Sequence, residues 1–188
     1  FHQAGRKFVA WVATDWEGDR KDRVQGFSLP RRMLDSMVNG PVIRSLERSL
    51  LCTGNILSLS EFTAARLSTI ADPGFNGANL SMPVDTNLFH PRAGATVPNL
   101  IGFSGRIDDP RKNIALLIDA LALLCGQGLD VNAVLIGGTV TREIAEAVQR
   151  HGLQSRVKFV PHTGSTELAT LLQTLDVFVL PSHQEGLC

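Results

Sequence analysis

From residue 100 to residue 180 the chain switches regularly between short apolar runs and longer amphipathic stretches, and this alternation constrains the fold more than any other feature. Residues 100–104, 131–136, 157–160 and 176–180 read as strands, since they are brief, apolar and bounded by turn residues. Residues 114–125, 141–149 and 165–175 read as helices. In the first of these, Ile114, Leu117, Ile118 and Leu121 mark one face, and Gly126 and Gly128 close its end. Ser165 is placed to cap the third. Strands that alternate with helices through short turns pair in parallel, with the crossover helices covering the sheet. The fold class is therefore α/β with a doubly wound sheet. Ligands bind such sheets at the carboxyl ends of the strands. Three turns then face the same way: Ser104-Gly105-Arg106, Gly137-Gly138, and residues 181–186.

Upstream the pattern is less regular. Residues 7–14 are apolar on both alternating faces, as in a strand covered on both sides. Asp15, Glu17 and Asp19 follow, spaced as carboxylates that could hold a divalent ion, but the basic residues beside them favour a solvated loop. Residues 30–51 have helical spacing, with Gly40-Pro41 predicted to separate two helices. A second strand is expected at 55–60, a helix capped by Ser60 at 61–70, and a third strand at 79–82. Residues 83–99 hold three of the nine prolines and read as a connector. We expect a partial N-terminal domain over 1–92 and a C-terminal domain over 93–188 that is incomplete at its end.

Charge narrows the function. The 18 basic and 18 acidic residues cancel, so no overall field favours nucleic acid or an anionic membrane. Cys52, Cys125 and Cys188 lie far apart, which argues against a disulfide framework or a cysteine metal site and for a reducing, cytoplasmic setting. The longest apolar stretch, 114–125, is broken by Asp119 and is too short to span a bilayer.

The segment with most chemistry is FSGRIDDPRKN, residues 103–113, which runs from strand through glycine turn to helix. Backbone N–H groups at a helix start attract phosphate. Arg106 offers a fork of donors and Lys112 a mobile ammonium, a pair suited to clamping a diphosphate. The same residues also suit a solvated basic turn, in which Asp108 and Asp109 offset the cations. Glu185, after the fourth strand, could accept hydrogen bonds from sugar or ribose hydroxyls, or simply favour a helix N-terminus. His183 could act in acid–base chemistry, but a lone loop histidine is more often only a polar surface residue.

Several short motifs occur in a fixed order: Ser60-Glu61, Pro83-Val84-Asp85 through His90-Pro91, Gly105-Arg106 with Lys112-Asn113, and Ile136-Gly137-Gly138. Val157-Lys158-Phe159, Glu167-Leu168, Asp176 to Val179, Pro181-Ser182 and Glu185-Gly186 complete the series. As an ordered set they resemble the group 1 glycosyltransferases, the retaining family four with the GT-B fold. The resemblance implies a partial N-terminal Rossmann-like domain, most of a C-terminal Rossmann-like parallel-sheet domain, and truncation at both ends.

It further implies transfer of a sugar from a nucleotide-diphosphate-sugar donor, with retention, to an acceptor that is a sugar, a lipid-linked sugar or another glycan. Gly105, Arg106 and Lys112 match the family's diphosphate-binding positions, with Arg111 a stand-in for Lys112 because the family's usual gap is one residue shorter than the one here. Glu185 matches a carboxylate near the reacting carbon, and Gly137, Gly138 and Gly186 match donor-side positions. The partner carboxylate expected near the ribose would lie beyond Cys188, so the 188-residue chain is expected to be inactive alone. No metal or cofactor is expected, the nucleotide sugar being a substrate. Cytoplasmic location with peripheral contact at the inner membrane face fits the same reading. The competing readings are a GT-B nucleotide-sugar epimerase and a non-catalytic phosphate-binding or interaction module.

Overall fold

The structure, a computed structural model, describes residues 5, 7–25, 27–71, 77–91, 97–183 and 185. The chain separates between Pro83 and Val84 into two compact units, the first also taking in Glu185. Each has its own parallel sheet. The expected Asp72-Pro73-Gly74 helix stop, and part of the 83–99 connector, lie outside the described residues.

In the first unit, β1 (Ala10–Val12), β2 (Ile56–Ser58) and β3 (Gly77–Asn79) form a sheet in that order. The third strand thus begins ahead of the 79–82 expected for it. Nor is β1 covered on both faces: Val9 and Trp11 are 65% and 47% exposed, and Trp11 Nε1 donates to Leu80 O. The supposed loop after β1 is instead a helix, α1 (Trp16–Gln25). Its start is fixed by Asp15, whose carboxylate is buried, accepts from the Gly18 N–H at 2.9 Å and pairs with Arg66 at 3.0 Å. An aspartate three residues before a glycine N–H acts as an N-cap, which outweighs the polar composition of the helix. Ser60 caps α4 (Glu61–Ala71) as expected, its Oγ accepting from Thr63 N at 3.1 Å.

Gly40-Pro41 does not separate two helices. A π turn over Asp35–Asn39 carries α2 (Leu29–Leu34) into α3 (Gly40–Leu51), and the Gly40 N–H donates to Asp35 O. A proline ring clashes with the carbonyl four residues back, here Met37, which lies inside the wider π turn. Asp35 and Gly40, five apart, are both buried, and the Arg20 guanidinium occupies the space where a side chain at 40 would go. Arg20 there pairs with Asp35.

The second unit follows the predicted alternation closely. Its elements are β4 (Leu100–Ser104), α5 (Ile114–Gly126), β5 (Asn132–Ile136), α6 (Arg142–Arg150), β6 (Val157–Val160), α7 (Ser165–Leu172) and β7 (Val177–Phe178). Ser165 is the first helical residue of α7 and not its cap; the extended Gly164 holds that position. The strand order is β6-β5-β4-β7, all parallel. Phe103, Ile118, Leu121, Leu135, Ile144 and Val148 meet in one core between the sheet and α5 and α6. On the other face Val134, Ile136 and Leu175 form a second cluster, with Leu168 and Leu171 of α7 against it. Gly102 makes this possible, since a Cβ there would lie 2.1 Å from the Leu175 side chain. The parallel α/β class that the alternation predicted is what these two sheets present.

Candidate functional site

Strand order locates the place to look. The chain leaves β4 toward β5 and β6 and then returns to β7 on the other side of β4. The direction of winding reverses beside β4, where the turns after neighbouring strands diverge and leave a crevice at their carboxyl ends. The turn after β4 is the Arg106-bearing segment.

On the β5 side of that turn a cleft of about 250 Å³ is lined by Ser104, Gly105, Arg106, Ile136, Gly137, Gly138, His162, Thr163 and Leu168. Its walls are the turns after β4, β5 and β6. They are held together by backbone: Gly105 N–H donates to Ile136 O at 2.9 Å, and Gly137 N–H to Val160 O at 2.9 Å. Gly137 and Gly138 have φ of 100° and 68°. A Cβ at Gly137 would lie 2.7 Å from Gly105 O, and one at Gly138 would lie 2.6 Å from Ile107 N. Both the left-handed backbone and the missing side chains are needed for the β5 turn to lie on the Gly105–Ile107 backbone. A larger hollow of about 480 Å³ touches Leu100, Asn132 and Val157, at the amino ends of the strands. That is the wrong end of a parallel sheet for a ligand.

Arg106 lines the cleft with its side chain 71% exposed and Asp108 Oδ2 3.4 Å away, a loose contact that leaves the guanidinium in solvent. Lys112 and Arg111 belong to the 3₁₀ turn Pro110–Lys112 and are not among the lining residues. Asp109 organises that turn. Its carboxylate accepts from the Arg111 backbone N–H at 3.1 Å and from Arg111 Nε and Nη2 at 3.1 and 2.7 Å. The Arg111 guanidinium is thus committed to Asp109 through two donors, while Lys112 is half-buried. These bonds from Arg111 hold the Asp109 carboxyl below the usual carboxylate range, against the opposing effect of burial. Asn113, with φ of 52°, then turns the chain into α5.

On the β7 side of the crevice, His183 N–H donates to Arg111 O at 2.9 Å, so the turn after β7 is tied to the 3₁₀ turn. The His183 side chain is exposed. Ser182 Oγ is buried there and has no hydrogen-bond partner among the described residues. Glu185 is half-buried and belongs with the first unit, and Gly186 lies outside the described residues. Among the described residues no cluster of three metal-ligating side chains occurs. His162 and Thr163 were not singled out from sequence, and Ser182 was named there only within the Pro181-Ser182 motif. The position of His162 and Thr163 directly after β6 was the available signal, because every turn at that end of the sheet reaches the crevice.

The pattern of the family described as "Glycosyl transferases group 1" matches residues 86–188. The chain is similar to a phosphatidyl-myo-inositol mannosyltransferase from Mycolicibacterium smegmatis, 31% identical over 108 residues, which are 56% of this chain and 26% of that protein. The chain therefore matches about a quarter of the length of that relative. Among solved structures it is similar to WaaG, a glycosyltransferase of lipopolysaccharide biosynthesis. The TM-score is 0.70 at 17% identity, over 95% of this chain and 51% of that one. It is also similar to a TarM variant from S. aureus solved with UDP, with a TM-score of 0.61 at 22% identity over 71% and 26% of the two chains.

Proposed function

The chain belongs to the group 1 glycosyltransferases, and from that premise we propose that its second unit binds a nucleotide-diphosphate-sugar donor at the carboxyl ends of β4, β5 and β6. One observation carries this reading: Arg106 is an exposed cation at a cleft that it shares with the Gly105, Gly137 and Gly138 turns. Small residues let a ligand approach the main chain closely, and a guanidinium matches the geometry of phosphate oxygens. UDP in the TarM structure is consistent with a donor of this class.

In the proposed reaction the bond between the anomeric carbon and the diphosphate breaks, and negative charge develops on the leaving oxygen. Arg106 stabilises that charge, with Lys112 as a second cation. Arg111 serves less well, since its guanidinium is already bonded to Asp109. Ser182 Oγ, on the turn after β7, has no hydrogen-bond partner among the described residues, but it is buried and outside the cleft lining. Glu185 positions the donor sugar, and the acceptor oxygen attacks from the face the leaving group vacates, retaining configuration. The acceptor is a sugar or a glycan, including a lipid-linked one. We assign turnover to a longer polypeptide containing this chain, because the curated relative is about fourfold longer than the stretch that matches.

The test is Arg106→Ala in the complete enzyme. Removing a cation that faces a developing anion raises the barrier by about 2–4 kcal/mol, a rate loss of roughly 30- to 1,000-fold. A melting temperature unchanged by the substitution is expected, since Arg106 is exposed. Wild-type turnover by the variant would exclude the diphosphate role. Donor turnover without acceptor glycosylation would favour the epimerase.

A further inference from the structure

The seven residues from Arg106 to Lys112 begin and end with the two cations assigned to the donor, and Asp109 stands midway, three residues from each. Its backbone is bonded to both. The Asp109 N–H donates to Arg106 O at 3.1 Å, and Asp109 O accepts from the Lys112 N–H at 2.9 Å. Its carboxylate accepts from the Arg111 backbone and guanidinium, and Arg111 O in turn accepts from His183 on the turn after β7. One residue thus joins the two cations to each other and, through Arg111, to the β7 side of the crevice.

Asp109 is also a charge turned inward. Arg106 and Asp108 are exposed, whereas Ile107 and Asp109 are buried, Asp109 to 9% exposure. Burying a carboxylate with a guanidinium gains little stability over apolar side chains of the same volume, so stability alone does not account for the pair. What it does supply is geometry, because three bonds from one residue to one carboxylate restrict the loop to a narrow range of conformations. Long cationic side chains on a loose loop would have to be ordered whenever an anion bound, at a cost in affinity.

We propose that Asp109 is a positioning residue for the donor site: by holding Arg111 it fixes the loop that sets Arg106 and Lys112 at the spacing of two linked phosphoryl groups. It touches no substrate and acts through Arg111 and the turn. The proposal rests on the donor-site reading above and adds to it a preference for diphosphate over single phosphate.

Calorimetric titration of the complete enzyme with inorganic pyrophosphate and with orthophosphate tests it, since neither probe carries a base or a sugar. The wild-type protein should prefer pyrophosphate. Asp109→Ala should weaken pyrophosphate binding about tenfold and leave orthophosphate within about twofold, because a single phosphate needs one cation and no fixed spacing. Arg111→Met should do the same, and the double variant should lose no more than either single one. Asp109→Asn keeps an acceptor for the Arg111 N–H and should show part of the same loss, which covers the case of Asp109→Ala failing to fold. Tighter binding of both anions by the Asp109 variants would overturn the proposal, since the carboxylate would then only offset the cations. Equal changes for the two anions in folded variants, additive losses in the double variant, or a wild-type protein without the preference would overturn it too. Arg106→Ala separates this from the reading beneath it. Pyrophosphate binding that survives Arg106→Ala removes the donor site itself, whereas binding lost in Arg106→Ala but intact in the Asp109 variants removes only the positioning role.

Discussion

In the second unit fourteen buried apolar residues form one cluster around β4, β5, α5 and α6, and Asp109 is its one buried charged residue among those described. In the first unit the comparable cluster has four members, Leu51, Ile56, Leu67 and Ala71, while Asp15, Asp35, Glu47, Ser58 and Thr63 are buried close by in sequence. The two sheets share a parallel architecture yet are held by different forces. Apolar contacts are non-directional and add up over area. Buried polar pairs contribute little net stability but are costly to break singly. The second unit should thus respond to lost volume and the first to lost partners.

The largest effect should follow Leu135→Ala. Leu135 is fully buried in the centre of β5, and removing its side chain leaves a cavity worth about 2–5 kcal/mol in chemical denaturation. A loss well under that range would mean that the core can collapse around the gap, and the contrast between the units would weaken.

Next comes Asp35→Ala, expected to cost up to about 3 kcal/mol, at the low end for a buried pair because the Arg20 side chain is still 19% exposed. The double variant Arg20→Met with Asp35→Leu should recover most of that loss. If the double variant is as unstable as the single one, the pair contributes more than mutual compensation, and the first unit depends on its charges outright.

Asp109→Asn sharpens the comparison from the other side, as the exception within the apolar unit. It should cost about 1–2 kcal/mol near neutral pH, because charge-assisted bonds from Arg111 are weakened. The sign of the pH dependence follows from the lowered Asp109 pKa, whose chief cause is the Arg111 side-chain bond. The unfolded chain binds the proton more readily, so the stabilisation is present above the unfolded value of about 3.9 and fades as pH falls through the lower folded value. Denaturation curves of the two proteins should therefore converge below about pH 4. A gap that widens on acidification would contradict the ion-pair account.

Legibility of the sequence followed the same division. In the second unit β4 and β6 have the bounds that the sequence predicted, although β6, at the sheet edge, carries the exposed Lys158. The first unit hid its elements. The helix α1 is mostly charged, so periodicity could not reveal it, and the signal was the capping pair Asp15 and Gly18. Gly40-Pro41 looked like a break because glycine and proline interrupt an α-helix, and the wider π turn that accommodates them has no periodic signal of its own. At the candidate site, Gly105, Arg106, Gly137 and Gly138 were legible as turn chemistry and do share one cleft. What could not be read was the division of labour between neighbouring cations. Arg111 and Lys112 are adjacent in sequence, and only geometry shows that Asp109 holds the first.

The π turn at Asp35–Asn39 takes in one residue more than an α turn while Asp35 and Gly40, five apart, stay on one side. Removing a single residue between them would leave an ordinary helix in which they stand four apart and still stacked. Leu29, Met33 and Leu34 would keep their line with Val42 and Leu46, and Arg20 its place beside Asp35 and Gly40. A further residue inserted there, with no wider turn to hold it, would instead swing Leu29–Leu34 by about 100°.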